Sequence, residues 1–214
     1  MTTVSDRNDL AVDVPTVVQP VAVAPAGDPS VLGLPVFVIS SLALGFALIG
    51  YVPAPAQGGI LPIVFACTGL GLLIATVWAA SLGQTVVAAI FGIFTGFWLS
   101  YAALVLGLTH KWYAVPAANA TKLVGIFLLC WTILIGLLTL ATLRLPAAFT
   151  VLLGLVTVAL ALVTLGTLNT SSGLVKTGGV VVLVFAALGA YLFISAAETA
   201  LGGSGYPLGR ALRR

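Results

Sequence analysis

The chain is 214 residues long, 61% hydrophobic and only 6% charged, with a mean hydropathy of +1.24, which excludes a soluble globular domain of ordinary composition. Between Asp28 and Arg210 the charged residues are Lys111, Lys122, Arg144, Lys176 and Glu198; hydrocarbon solvates neither bare ions nor unpaired backbone, so the long runs between them predict membrane-spanning helices. The net charge of +3 gathers at the C-terminal end, on Arg210, Arg213 and Arg214, where it fits a juxtamembrane anchor or a solvated tail and argues against nucleic-acid binding.

In chain order, residues 1–27 are rich in Val, Ala, Pro and Asp. They lack a basic start followed by an apolar core and a cleavage site, so they read as a disordered tail rather than a signal peptide. A hydropathy window of about 19 residues then gives six spans, at roughly 33–52, 60–80, 85–108, 122–143, 147–168 and 178–201. The breaks carry turn chemistry: Val52-Pro53-Ala54-Pro55, Ser81-Leu82-Gly83-Gln84, the loop from His110 to Thr121, Leu145-Pro146, and Asn169-Thr170-Ser171-Ser172-Gly173. The predicted organisation is an all-α membrane protein: a tail at 1–27, a compact bundle of six transmembrane helices at 28–209, and a basic tail at 210–214. An even number of spans places both termini on one side. That side holds Arg7, Arg144, Arg210, Arg213 and Arg214 against Lys111, Lys122 and Lys176 on the other, so the positive-inside bias predicts cytoplasmic termini and an integral protein of the cell membrane.

Loops this short place any function between the helices. Catalysis needs converging titratable groups, whereas this chain offers one histidine, one acid near membrane depth and no metal-ligand spacing, which argues against an enzyme, a metal or a cofactor. Cys67 and Cys130 read as small buried apolar side chains. His110, beside Lys111 and Trp112, has the pattern of an interfacial anchor, with attraction of anions as the alternative. Glu198 sits near the end of the last span, within reach of headgroups or the terminal arginines; proton coupling there is the other reading. Gly92 and Gly96 form a small-xxx-small pair suited to packing within the chain or between subunits. The hydroxyls inside the spans are those of Ser40, Ser41, Thr95, Ser100, Thr132, Thr157 and Thr164. Facing one axis they make a polar path for an anion; bonded to their own backbone they are helix glue.

The opening of the first span, Asp28-Pro29-Ser30-Val31-Leu32-Gly33-Leu34, resembles the Asn-Pro-Ala-Pro-Leu-Gly-Leu signature of the acetate uptake transporter family, which includes the succinate-acetate permeases. Phe97-Trp98-Leu99, Gly125 with Trp131, Gly136 to Arg144, and Ala190-Tyr191-Leu192 with Tyr206-Pro207-Leu208-Gly209 follow in the family's order. The resemblance implies six-helix protomers assembled as homohexamers in the lipid bilayer, each with its own pore for acetate, succinate and related short carboxylates. It also implies a hydrophobic constriction at Phe37, Phe94 and Val156, with Gly189 and Tyr191 near the pore; Ser40, Thr95 and Thr157 are the candidate polar lining. Phe94 stands where the family has a tyrosine. Gly45, Ala47 and Leu48 replace an Asn and a His-Asn pair, Leu72 and Ala79 replace a Gln and a Glu, and in the signature Asp28 replaces Asn and Val31 replaces the second Pro. A lining so thinned leaves three readings: passage of the neutral acid, a neck that opens by wetting, or a transport-silent membrane protein that keeps the fold. A pore for another small solute is a fourth.

Overall fold

The structure, a computed structural model, describes residues 27–213; the tail predicted at 1–27 falls outside it apart from Gly27, as does Arg214. Helix α1 spans Ser30–Ile49. Its entry is the signature motif: Asp28 Oδ1 accepts the Ser30 N–H at 2.8 Å, so the Asn-to-Asp change keeps an acceptor for one of the orphan donors of the first turn. The helix stops at Gly50, whose φ of 87° closes it, with Gly50 N–H donating to Ala47 C=O and Tyr51 N–H to Phe46 C=O, the hydrogen-bond pair of a Schellman end.

The second span begins as a 3₁₀ segment, Ala54–Ile60, passes through a π-helical turn, Ile63–Gly69, and continues as α2, Leu70–Ser81. The π turn brings Thr68 inward, where its hydroxyl donates to the Val36 carbonyl of α1 and meets Ser40 Oγ at 2.6 Å. Helices α3 (Thr85–Thr109), α4 (Ala117–Ala141), α5 (Ala147–Leu168) and α6 (Ser172–Ala200) complete six segments long and apolar enough to cross a membrane, with no strand among the described residues. Two of these start earlier than hydropathy places them. Pro116 opens α4 ahead of Lys122, and Ser171 accepts the Leu174 N–H to cap α6 ahead of Lys176; a lysine in a first turn lowers a hydropathy window without breaking a helix.

Side by side the helices run α3, α2, α1, α6, α5, α4, and α4 closes back toward α3 through aromatic side chains, with Phe97 5.4 Å from Trp131 and 6.2 Å from Phe127. Small residues set the close approaches. A side chain on Gly33 would run into the Phe91 ring of α3, and one on Gly179 would meet Leu48 and Ile49 of α1. Gly92 faces Thr76 and Gly96 faces Trp131, so that pair serves packing within the protomer. Helices α4 and α5 are joined by threonines on neighbouring turns: Thr132 with Thr164 at 3.2 Å, Thr139 with Thr157 at 3.1 Å, and Thr150 Oγ1 donating to Thr142 C=O at 2.8 Å. One sequence expectation is corrected: Cys67 and Cys130 are free but exposed on the outer surface. Hydropathy does not separate a lipid-facing from a core-facing position, because lipid tails are as apolar as leucine.

Past α6 the chain folds back over the terminal face. Tyr206 N–H donates to Ser195 Oγ at 2.9 Å, Tyr191 Oη donates to Pro207 C=O at 2.8 Å, and Ala148 N–H donates to Leu208 C=O at 2.9 Å. The Tyr-Pro-Leu-Gly stretch is thereby tied to the starts of α5 and the end of α6.

Candidate functional site

Two internal cavities lie along the bundle axis. The larger, about 190 Å³, is lined by the C-terminal halves of α1, α3 and α5 and the N-terminal halves of α4 and α6, so it faces the side opposite the termini. The smaller, about 140 Å³, is lined by Ser30, Leu34, Val87, Ile90, Phe149 and neighbours, on the terminal side. Phe37 and Phe94 are the two residues that border both. Their rings meet edge to face with centroids 5.0 Å apart and are buried, the arrangement aromatic quadrupoles favour. Phe185 of α6 stacks on Phe37 at 5.7 Å. Val156 borders the larger cavity only.

Phe37, Phe94 and Val156 are thus brought to one region, with Phe37 and Phe94 forming the wall between chambers. The signature residues support it from below: Pro29 is fully buried, Leu34 lines the smaller chamber, Leu32 packs on the core, and Gly33 lets Phe91 close over α1. Gly189 lies behind the same wall, where an added Cβ would stand 3.8 Å from Phe37 and 2.9 Å from Val38.

The candidate polar residues sit elsewhere. Ser40 bonds Thr68, Thr95 Oγ1 donates to Phe91 C=O at 2.9 Å, and Thr157 Oγ1 donates to Leu153 C=O at 2.9 Å as well as meeting Thr139; none of the three lines either cavity. In hydrocarbon a hydroxyl has no water to turn to, and its own helix supplies the nearest acceptor. Tyr191 is likewise outside the cavities, stacked on Tyr206 at 5.7 Å. His110 is exposed and stacks on Trp112 at 5.5 Å, and Glu198 is exposed at the end of α6.

What lines the chambers is almost wholly hydrocarbon. Two positions where the family resemblance implies polar residues, Leu48 and Leu72, border the larger and the smaller chamber respectively. The sequence reading missed Trp98, Tyr101, Leu152 and Phe185 as lining residues. The signal for two of them was present: Phe94, Phe97, Trp98 and Tyr101 recur at helical spacing, which puts aromatic rings on one face of α3.

Six helices long and apolar enough to cross a membrane, packed around two apolar chambers, define a polytopic membrane bundle. Residues 11–201 match the model of the GPR1/FUN34/yaaH family, and the chain belongs to that family, the acetate transporter family that its signature resembles. The fold is that of a solved structure titled as the bacterial acetate channel SatP, with a TM-score of 0.76 and 23% identity over 86% of this chain and 99% of that one. The acetate transporter protein patA of Aspergillus clavatus is 28% identical over 62% of this chain and 54% of its own length. The ammonia transport outward protein 2 of Saccharomyces cerevisiae is 27% identical over 80% of this chain and 62% of its own length. The chain spans 52% to 62% of the length of the curated relatives it matches.

Proposed function

We propose that this chain is a membrane channel or permease for acetate and related short carboxylates, passing them as neutral acids through a neck at Phe37, Phe94 and Val156. The observation that carries the reading is the pair of chambers separated by Phe37 and Phe94. Chemistry then selects the species. An unpaired ion taken from water costs several kcal/mol or more, and neither chamber lining includes a cationic side chain; a neutral carboxyl without hydrogen bonds costs only about 1–3 kcal/mol. The approach suits an anion nonetheless. On the face where the larger chamber opens, Lys111, Lys122 and Lys176 are the charged residues among those described, with no acid beside them, so carboxylate gathers at the mouth before it takes a proton and enters.

With termini in the cytoplasm the larger chamber opens outward from the cell membrane, and the resemblance extends the proposal to a hexamer with one pore in each protomer. No catalytic step is assigned. A second reading, a transport-silent membrane protein that keeps the fold, is favoured by one observation: Ser40, Thr95 and Thr157 are bonded within the bundle and outside the cavities. Uptake of labelled acetate by proteoliposomes at two external pH values decides between them. Protein-dependent uptake that falls as pH rises, at constant total acetate, supports the neutral-acid path; uptake equal to that of empty vesicles at both values supports the silent protein.

A further inference from the structure

Trp98, Tyr101 and Thr167 line the larger chamber, and each carries a polar atom with no hydrogen-bond partner among the described residues. Trp98 Nε1–H is fully buried and unbonded, and buried orphan donors are uncommon enough to call for a reason. The Tyr101 hydroxyl, one turn later on the same face of α3, has no hydrogen bond to any described residue, whereas the hydroxyls of Tyr113 and Tyr191 bond the carbonyls of Ala103 and Pro207 at 2.9 Å and 2.8 Å. The two rings stand edge to face with centroids 6.4 Å apart, and Phe97 and Phe127 hold Tyr101 from its other sides at 6.1 Å and 6.5 Å. Tyr101 lies seven residues beyond Phe94, about 10 Å along the helix, so it stands well inside the larger chamber and apart from the neck.

We propose that the Tyr101 hydroxyl is the recognition site for the carboxyl group of a short monocarboxylic acid held in the larger chamber. The proposal rests on the functional reading above and adds to it a binding residue. A phenol hydroxyl both donates and accepts, so it pairs with the carbonyl oxygen and the acidic proton of a neutral carboxyl. Tyr101 is half-buried and its hydroxyl is the contact; the Trp98 indole N–H behind it is sealed from the chamber and backs the ring. Around it Leu104, Val105 and Val163 offer hydrocarbon and Thr167 the other hydroxyl of the lining, which suits a short alkyl tail and disfavours a second carboxyl, most of whose polar atoms would stay unpaired. Size agrees: an apolar cavity of about 150 Å³ admits benzene, and this chamber is about 190 Å³.

The test compares wild type, Tyr101→Phe and Tyr113→Phe as full-length protein, with labelled acetate uptake in proteoliposomes and equilibrium binding of labelled acetate to the purified protein at acidic pH. Tyr101→Phe keeps the ring and its packing and removes one neutral hydrogen bond, so the half-saturating acetate concentration rises about five- to tenfold. Tyr113→Phe, which removes a hydroxyl outside the chamber, leaves it unchanged. Wild-type preference for acetate over succinate is the second expected result. Equal half-saturation in wild type and Tyr101→Phe overturns the site while leaving the transport reading standing. Absence of uptake by the wild type sinks the transport reading; binding then decides the site, supported by weaker binding in Tyr101→Phe and overturned by equal binding or by none in the wild type.

Discussion

Phe94→Ala tests the wall between the chambers directly. The Phe94 ring is 4% exposed and meets Phe37 edge-on at 5.0 Å; without it, chambers of about 190 Å³ and 140 Å³ become continuous. A carboxyl group crossing the dry neck forgoes its water at a cost of about 1–3 kcal/mol. A continuous, wetted path returns roughly half to two-thirds of that, and since each 1.36 kcal/mol off a barrier is tenfold in rate, protein-dependent flux rises about 2- to 30-fold. The assay is labelled acetate exchange in proteoliposomes near neutral pH, corrected for protein-free vesicles because the neutral acid also crosses lipid. A core Phe-to-Ala change costs about 3–5 kcal/mol in soluble proteins, so helicity and elution volume are checked alongside, and Phe94→Leu, with less volume removed, is expected to give a smaller rise. Phe46→Ala, on the outer surface, leaves flux unchanged. A folded Phe94→Ala protein with flux within twofold of wild type refutes the neck.

Gly33→Leu forces a side chain into the Phe91 ring and is expected to destabilise by about 1–3 kcal/mol, read as a lowered midpoint of thermal unfolding in detergent. Replacing Lys111, Lys122 and Lys176 together by Gln removes the positive mouth; acetate uptake falls severalfold at low ionic strength, and the difference vanishes near 1 M salt, where the Debye length is about 3 Å. Glu198→Gln leaves pH-driven uptake unchanged, because the residue is exposed at the end of α6 and outside both chambers; loss of uptake in a folded variant contradicts this. With the neutral acid as the moving species and a carboxyl pKa near 4.3, the neutral fraction falls tenfold per pH unit above about 5, and protein-dependent uptake at fixed total acetate falls with it. A flat profile between pH 6 and 8 means that the anion itself crosses.

The spans were legible because charge is intolerable in hydrocarbon, so that Lys111, Arg144 and Lys176 punctuate the chain at its loops or first turns. Their ends were less so: Ser171 and Pro116 begin α6 and α4 before the hydropathy window reaches them, because capping is local chemistry that a 19-residue average dilutes. Only the family resemblance singles out Phe37 and Phe94, since a buried aromatic at a neck and one in a packed core have the same composition. The two readings of the inward hydroxyls, polar path or helix glue, cannot be separated in the sequence for a definite reason. Ser40, Thr95 and Thr157 look available in a sequence, but in the folded bundle each finds a carbonyl or hydroxyl closer than any solute.

That same rule gives Tyr101 and Trp98 their interest. A serine or threonine on a helix reaches its own i−4 carbonyl and so disappears into the backbone, whereas the phenol oxygen and indole nitrogen sit at the far end of rigid rings and cannot fold back to the turn that carries them. A long aromatic polar group on an inward helix face, such as that of Tyr101, is therefore left to face a solute unless another element supplies a carbonyl, as happens for Tyr113 and Tyr191. With hydroxyls at Tyr101 and Thr167 and Leu48 in the larger chamber, and Leu72 in the smaller, the linings have no group that pairs a carboxylate anion, which favours the proposed neutral acid. Restoring polarity at the neck makes this argument testable: Phe94→Tyr adds a hydroxyl seven residues before Tyr101 and is expected to tighten acetate half-saturation while leaving the steep fall of uptake with pH intact. A flattened pH profile in Phe94→Tyr would mean that one hydroxyl at the neck suffices to admit the anion, and the preference for the neutral species would not follow from the apolar lining.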